Sequence, residues 1–414
     1  MTNPRLSGSI NDKIKSSAVY VSIMLSSFLV AITSDIFAPS LPYLPEVFGT
    51  TVAKVQMSLA FSTLTFAVAT LLHGPLSERF GLRRLFLWAM VTFGIAAGLA
   101  GLSRSIDAFI AAQILEAIAT SAQSVVTIAM ILELFEEKKQ VRMFALLGLM
   151  QAASPAIAPI LGSYILVSFG WEVNFFLMSA LALATSIFIW LYLDECGSVD
   201  ETALAPRRIA TEYWELLSNW IFVRYTVLCG LTFAFAFAFL SAGPFILQDL
   251  YGLPPQAFGY FQIITVLAYA AGAFLTARLI DTHSKELLLK ASVICVLVGG
   301  SFLCFVILSG FNSPLILFVG MSIIRLGEAG VFPTTTVLAM DAATTGPGPA
   351  AAMLSTLVGG VAALGPVCVS LLESEVGVMY SLAGTSAILT VMIVFVFALK
   401  PREKNPADRV PDGY

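Results

Sequence analysis

The sequence predicts an all-α membrane protein with twelve transmembrane helices in two similar six-helix halves. Composition, the spacing of apolar runs and a weak internal repeat lead there. Of 414 residues, 58% are hydrophobic and only 12% are charged, a balance typical of membrane-embedded chains. About 20 mostly apolar residues cross a bilayer once as a helix. Twelve such runs follow one another: 18–42, 54–74, 84–102, 106–133, 143–168, 172–193, 221–248, 256–279, 286–309, 314–340, 349–372 and 376–398. An even number puts both termini on one side.

In chain order, a polar segment (1–17) leads into a first run of full spanning length, so the first span is expected to serve as its own uncleaved insertion signal. Residues 18–193 form the first bundle and 221–398 the second, with a tail at 399–414. Between the bundles, 194–220 is the longest internal connection. Ile209, Tyr213, Leu216, Leu217 and Trp220 follow Arg207 and Arg208 there at helical spacing. That pattern suits a short helix at the membrane interface, or equally one packed on the bundle. Nineteen of the 22 Lys and Arg residues fall at the termini or in the even-numbered connections; only Lys54 and Arg104 fall opposite, and Arg325 is inside a span. Positive charge is retained on the cytoplasmic side, which predicts cytoplasmic termini.

The halves align weakly. "QILEAIATSA" from Gln113 matches "RLGEAGVFPT" from Arg325, pairing Glu116 with Glu328 at an offset of 212; Pro159 pairs with Pro366 at an offset of 207. Duplicated halves are the arrangement in which transporters bind substrate at the repeat interface.

Several function classes are disfavoured. A net charge of −4 without a basic block is no footprint of a nucleic-acid binder. Cys196, Cys229, Cys295, Cys304 and Cys368 are scattered, and His73 and His283 have no ligand-spaced partner. Neither a disulfide framework nor a metal site is expected. No clustered nucleophile or cofactor set suggests an enzyme, and no phosphate-binding loop suggests ATP-driven transport. No cofactor is expected.

A charge at the bilayer centre costs on the order of 3 kcal/mol, so charges inside spans are candidates for function: Asp35, Glu116, Arg325 and Glu328. Pro39 and Pro42 follow Asp35 and should break the first span. A break is tolerated where it lines a wet cavity; Asp35 faces such a cavity or is solvated near the outer end. Gln113, Glu116, Thr120, Gln123 and Thr127 recur at three- and four-residue steps as one polar stripe. On it Glu116 either exchanges protons or holds one while bonding between helices. Arg325 and Glu328 are spaced to pair on one helix face, as a fixed ion pair or with Arg325 changing partners as a proton arrives. The run "FAFAFAF" carries Phe233 and Phe237 on one face, suited to ring-bearing ligands, to helix packing or to lipid.

"HGPLSERFGLRRL", residues 73–85, resembles the loop motif of the major facilitator superfamily through Gly74, the Glu78–Arg79 pair, Gly81, Arg83 and Arg84, with Glu78 standing where that family usually has Asp. Arg side chains at the carbonyl end of a helix are favoured by its dipole, and Glu133, Glu136 and Glu137 are candidate acceptors for a cytoplasmic gate. "GLMQAASPAIAPILGS", with Gly148, Pro155, Pro159 and Gly162, resembles the fifth-span motif of the superfamily's antiporters; small residues there allow close helix approach. With "SDIFAPSLP" the chain resembles the twelve-span drug:proton antiporters near the bicyclomycin, chloramphenicol and multidrug branch. In the fourth span that family usually has Arg where this chain has Gln113, so Arg325 is a candidate for the missing positive charge.

The resemblance implies a monomeric, proton-coupled exporter of small amphipathic or aromatic compounds, with Asp35 in proton or cationic-substrate binding; Glu116 stands where that family commonly has Gln, so coupling is expected to depend on Asp35 and Glu116 together. Gln113, Thr120, Gln123, Phe233, Phe237, Arg325 and Glu328 are the expected cavity residues. Its partners are then a small-molecule substrate, protons and the lipid bilayer, without nucleic acid. The alternative is a dedicated exporter, or proton-coupled importer, of one metabolite such as a siderophore.

Overall fold

The first crossing is interrupted where the prolines demand it. Helix α1 (Ile10–Ile36) stops one residue after Asp35, a 3-10 turn carries Ala38–Tyr43, and a short α2 (Leu44–Phe48) completes the passage. Phe37, at the break, is buried against Phe109 and Phe175 at ring separations of 6.2 and 5.4 Å. Aromatic burial thus fixes the direction in which the irregular backbone leaves.

The structure, a computed structural model, describes residues 10–135, 137–195, 205–280, 282–310, 313–345 and 347–399. Among these it is helical and has no strand. The first half continues with α3 (Val52–Phe80), α4 (Leu82–Leu102), α5 (Ile106–Leu134), α6 (Glu137–Phe169) and α7 (Glu172–Tyr192). Thr51 and Ser105 cap α3 and α5 by accepting from the backbone N–H of Lys54 and Ala108, satisfying donors a helix start leaves open. Gly81, at φ +85°, makes the tight joint between α3 and α4, a backbone shape a side chain resists.

Helix α8 (Pro206–Ser218) joins the halves. The second half contains α9 (Trp220–Phe245) with one π turn to Leu250, α10 (Gln256–Leu279), α11 (Lys285–Leu308), α12 (Pro314–Ala342), α13 (Pro347–Ala362) and α14 (Leu364–Ala398). Among the described residues ten helical segments are long and apolar enough to cross a membrane. One of them, Pro349–Ala398, is two crossings, since the chain turns within α14 at Gly377, φ +77°. Helix α6 contains the predicted run 143–168, and its stretch Ala153–Phe169 is a further apolar helix among the described residues. The twelve predicted runs are thereby all helical. One feature departs from the apolar pattern: the eleventh crossing is itself broken between α13 and α14, beside Gly365, whose Cα lies so close to the Ala234 carbonyl of α9 that a Cβ would collide.

The halves meet along α3 with α13 and α14, and along α6 with α10. At the end away from the termini, Tyr164 and Tyr260 share a hydrogen bond of 2.9 Å, Gln248 Nε2 donates to Pro39 O at 2.9 Å, and Ser370 Oγ donates to Ala53 O at 2.8 Å. Deeper, Thr356 Oγ1 donates to Ala67 O at 2.8 Å. Between these seams the halves stand apart and enclose a cavity.

Candidate functional site

The cavity has a volume of about 380 Å³, within the range of small-molecule sites. Its two walls differ in chemistry. The first half supplies Asp35 from α1, Thr63 and Phe66 from α3, Glu116 and Thr120 from α5, and Gln151 and Pro155 from α6. The second supplies Phe233, Phe237 and Phe239 from α9, Gln262 and Thr265 from α10, and Met321 and Arg325 from α12. One wall is acidic and hydroxyl-rich; the other is mostly apolar, with three phenylalanines and one cation.

Asp35 reaches the cavity because α1 ends beside it. Its Oδ2 lies 2.8 Å from Ser154 Oγ of α6, which also donates to Ala31 O at 2.7 Å. Gly162, one of the antiporter-type residues, brings α6 against the Ile36 carbonyl so closely that any Cβ would collide. Pro155 lines the cavity and Pro159 is buried, while the surroundings of Gly148 lie outside the described residues. This small-residue face is what sets the Ser154–Asp35 distance.

Glu116 is 1% exposed, and neither carboxylate oxygen has a hydrogen-bond partner among the described residues. Its repeat counterpart Glu328 is 0% exposed and bound: Arg325 Nη1 donates to Oε2 at 2.7 Å, and the guanidinium stands 4.8 Å over the Tyr269 ring. Glu328 is therefore behind the wall rather than on it, and Arg325 presents the edge of a closed pair. Gln113, one turn from Glu116, is buried off the cavity with Nε2 unpartnered among the described residues. Gln123 is turned away altogether, donating to Ser26 Oγ at 2.9 Å and Thr127 Oγ1 at 2.8 Å. The polar stripe on α5 so divides: Glu116 and Thr120 border the cavity, the Glu116 carboxylate being buried within the wall, and Gln123 knits α5 to α1.

Gln262 and Thr265 went unread in the sequence, although they stand three residues apart in an apolar span. Thr265 Oγ1 lies 2.7 Å from Gln262 Oε1, an arrangement that holds the amide at the wall. Spacing alone was the available signal, the same i, i+3 step that drew attention to Arg325 and Glu328.

The loop motif lies apart from the cavity. Gly74 sits within α3, Glu78 is exposed, and Arg79 is in the last turn of that helix. One acceptor at this corner is Glu195, beyond α7: it takes the Arg83 backbone N–H at 3.1 Å and lies 3.7 Å from Arg84 Nε. Arg83 Nη2 also donates to Trp190 O at 2.9 Å. Glu133 is exposed; Glu136 and the Glu137 side chain lie outside the described residues.

Two helical halves around a shared, half-polar cavity are the build of a membrane carrier. The chain belongs to the Major Facilitator Superfamily, whose family model matches residues 23–366, with a second match over 228–412. It is therefore a multi-pass membrane transporter of small molecules and not an enzyme. It is 27% identical over 371 residues to the uncharacterized MFS-type transporter YdgK of Bacillus subtilis, covering 88% of this chain and 89% of that one. A chloramphenicol resistance protein of Pseudomonas aeruginosa is 24% identical, covering 74% of this chain and 73% of its own. Multidrug resistance protein D of Escherichia coli is also 24% identical, over 77% and 80%. Among solved structures, a D-xylose-proton symporter superposes with a TM-score of 0.71 at 14% identity, covering 93% of this chain and 98% of that one; at that identity the likeness is one of fold.

Proposed function

We propose that the protein is a proton-coupled exporter of small amphipathic or aromatic compounds, working by alternating access as a monomer in the bacterial inner membrane with both termini in the cytoplasm. The observation that carries this reading is the cavity: two carboxylates on one wall, Asp35 and Glu116, face Phe233 and Phe237 on the other. The phenylalanines of that wall suit a ring-bearing ligand. The similarity to chloramphenicol and multidrug resistance proteins points the same way.

Proton coupling needs a group that gains and loses a proton as substrate comes and goes. Glu116 is placed for it, since an unpartnered buried carboxylate is expensive when charged and tolerable when protonated. Asp35 borders the cavity and its Oδ2 accepts from Ser154 Oγ, whose one proton is shared between Asp35 and Ala31 O, so the ionised form has a donor in the protein where Glu116 has none among the described residues. In the proposed cycle the outward-open carrier takes a proton on one of these acids and releases substrate. The proton leaves inward before the next substrate binds, as the halves rock about the cavity.

The test is purified protein in liposomes with an imposed pH gradient and a pH dye inside. Adding amphipathic aromatic compounds should drive proton flux, and Asp35→Asn or Glu116→Gln should abolish it. Substrate-driven flux that survives in both variants would sink this mechanism.

A further inference from the structure

The end away from the termini is shut by an apolar plug drawn from both halves. Ala38 and Leu41 of the 3-10 turn, Val55 and Leu59 of α3, and Phe245 and Ile246 at the end of α9 belong to one buried cluster. Two polar side chains are set into this plug without a partner. Gln56 is 0% exposed, and neither its Oε1 nor its Nε2 has a hydrogen bond among the described residues. Ser40 is also 0% exposed, with its Oγ in the same condition.

Both stand where the halves must part if this end opens. Gln56 and Thr63 are seven residues apart on α3, so they share a face to within about 20° and lie about 10 Å apart along the axis. Thr63 lines the cavity, which places Gln56 on the cavity side of α3, two turns nearer the closed end. The same helix touches the second half on either side of it: Ser370 Oγ donates to Ala53 O one turn before Gln56, and Thr356 Oγ1 donates to Ala67 O three turns after. Ser40 follows Pro39, whose carbonyl takes Gln248 Nε2 of the second half. A polar group buried without a partner bears the whole cost of its lost hydration, and that cost disappears once water reaches it. A hydrocarbon side chain of equal length would suit the plug better, so the amide works against closure.

We propose that Gln56, with Ser40, holds the closed end near the point of opening: their unmet hydrogen bonds disfavour the closed form relative to one in which the halves part there and water reaches both side chains. The two groups thereby offset part of the apolar burial and the hydrogen bonds that keep this end shut, so that neither form is a trap. The inference rests on the alternating-access part of the function proposed above and on neither the substrate nor the coupling ion.

The experiment uses the full chain carrying Thr120→Cys in the cavity, in sealed vesicles with the termini inside and a membrane-impermeant thiol reagent outside. Reaction of the same chain with Thr120 kept is subtracted, which removes the native cysteines from the reading. Gln56→Met preserves length and deletes the amide. It should slow the outside reaction at least about fivefold, the effect of relieving one stranded polar group, and raise the melting temperature in detergent. Ser40→Ala should act in the same direction. Thr385→Val deletes another fully buried, unbonded hydroxyl. It lies in the last crossing, which is held in its own half at Thr390 beside Gly300 of α11 and at Val396 and Phe397 by Arg224 of α9. That change should raise the melting temperature and leave the reaction rate as it was, separating a gain in general stability from an effect on the gate. A rate that Gln56→Met leaves unaltered, or a melting temperature that it lowers, would overturn the inference. If Thr120→Cys reacts from outside in no chain at all, alternating access itself fails and the inference goes with it.

Discussion

Glu116 and Glu328, which pair when the sequences of the two halves are aligned, are both shut away from solvent, but of the two only Glu328 has a cation, the Arg325 guanidinium 2.7 Å from its Oε2. Where the second half has Arg325, the first has Gln113. A buried carboxylate with its cation is a closed pair; one without it is a group whose charge depends on its proton. The duplicated slot thus has two different chemical states in one molecule.

Removing one member of a buried ion pair leaves the other uncompensated, at about 3–5 kcal/mol. Arg325→Met should therefore destabilise the protein strongly, and Arg325→Met combined with Glu328→Gln should recover most of the loss. Thermal unfolding in detergent, followed by loss of monodispersity, measures both. Equal destabilisation in the single and double variants would contradict the pairing.

Glu116→Gln should behave in the opposite sense. Its carboxylate has no partner among the described residues to strand, so the neutral isostere should leave the melting temperature unchanged or raise it while proton flux is lost. A fall in stability comparable to that of Arg325→Met would mean that Glu116 is held by contacts not seen here.

Gly162→Ala places a methyl group on the Ile36 carbonyl. Overpacking of this kind costs about 1–3 kcal/mol, and the backbone that must yield is the one next to Asp35. Transport should fall with stability. Gly74→Ala, by contrast, meets nothing within 4 Å and replaces a weak helix former, so it should gain up to about 1 kcal/mol. Comparing the two melting temperatures checks the prediction, which fails if the order is reversed.

Tyr164→Phe with Tyr260→Phe deletes a hydrogen bond between the halves at the end away from the termini. Its partners are exposed, so the loss should not exceed about 1 kcal/mol. That is still enough to shift a two-state opening equilibrium about fivefold. A cysteine introduced by Thr120→Cys in the cavity, titrated with a membrane-impermeant thiol reagent from that side, should react faster in the double variant. No change in rate would show that this bond does not help close that end.

The legible part of the sequence is whatever the solvent dictates. A bilayer demands long apolar helices with their backbone bonds closed, so the twelve runs, the polar linker and the break behind Asp35 could all be read from apolar length and proline position alone. The stripe on α5 was legible as a stripe for the same reason, since periodicity names the residues that share a face.

What opposes that face is another matter, because it depends on helices far away in the chain. Periodicity put Glu116 and Gln123 together, and packing then parted them, one onto the cavity and the other onto Ser26 of α1. Gln262 and Thr265 gained a role only when α10 was laid against α6. One acceptor for Arg83 and Arg84 is Glu195 because α4 packs on α7. By itself the sequence determined which segments cross the membrane and which side chains are too polar to face lipid. Only the tertiary structure decided which of those polar groups are satisfied by one another and which are left facing an open space, since that is a matter of distances across packed helices and not of spacing along one.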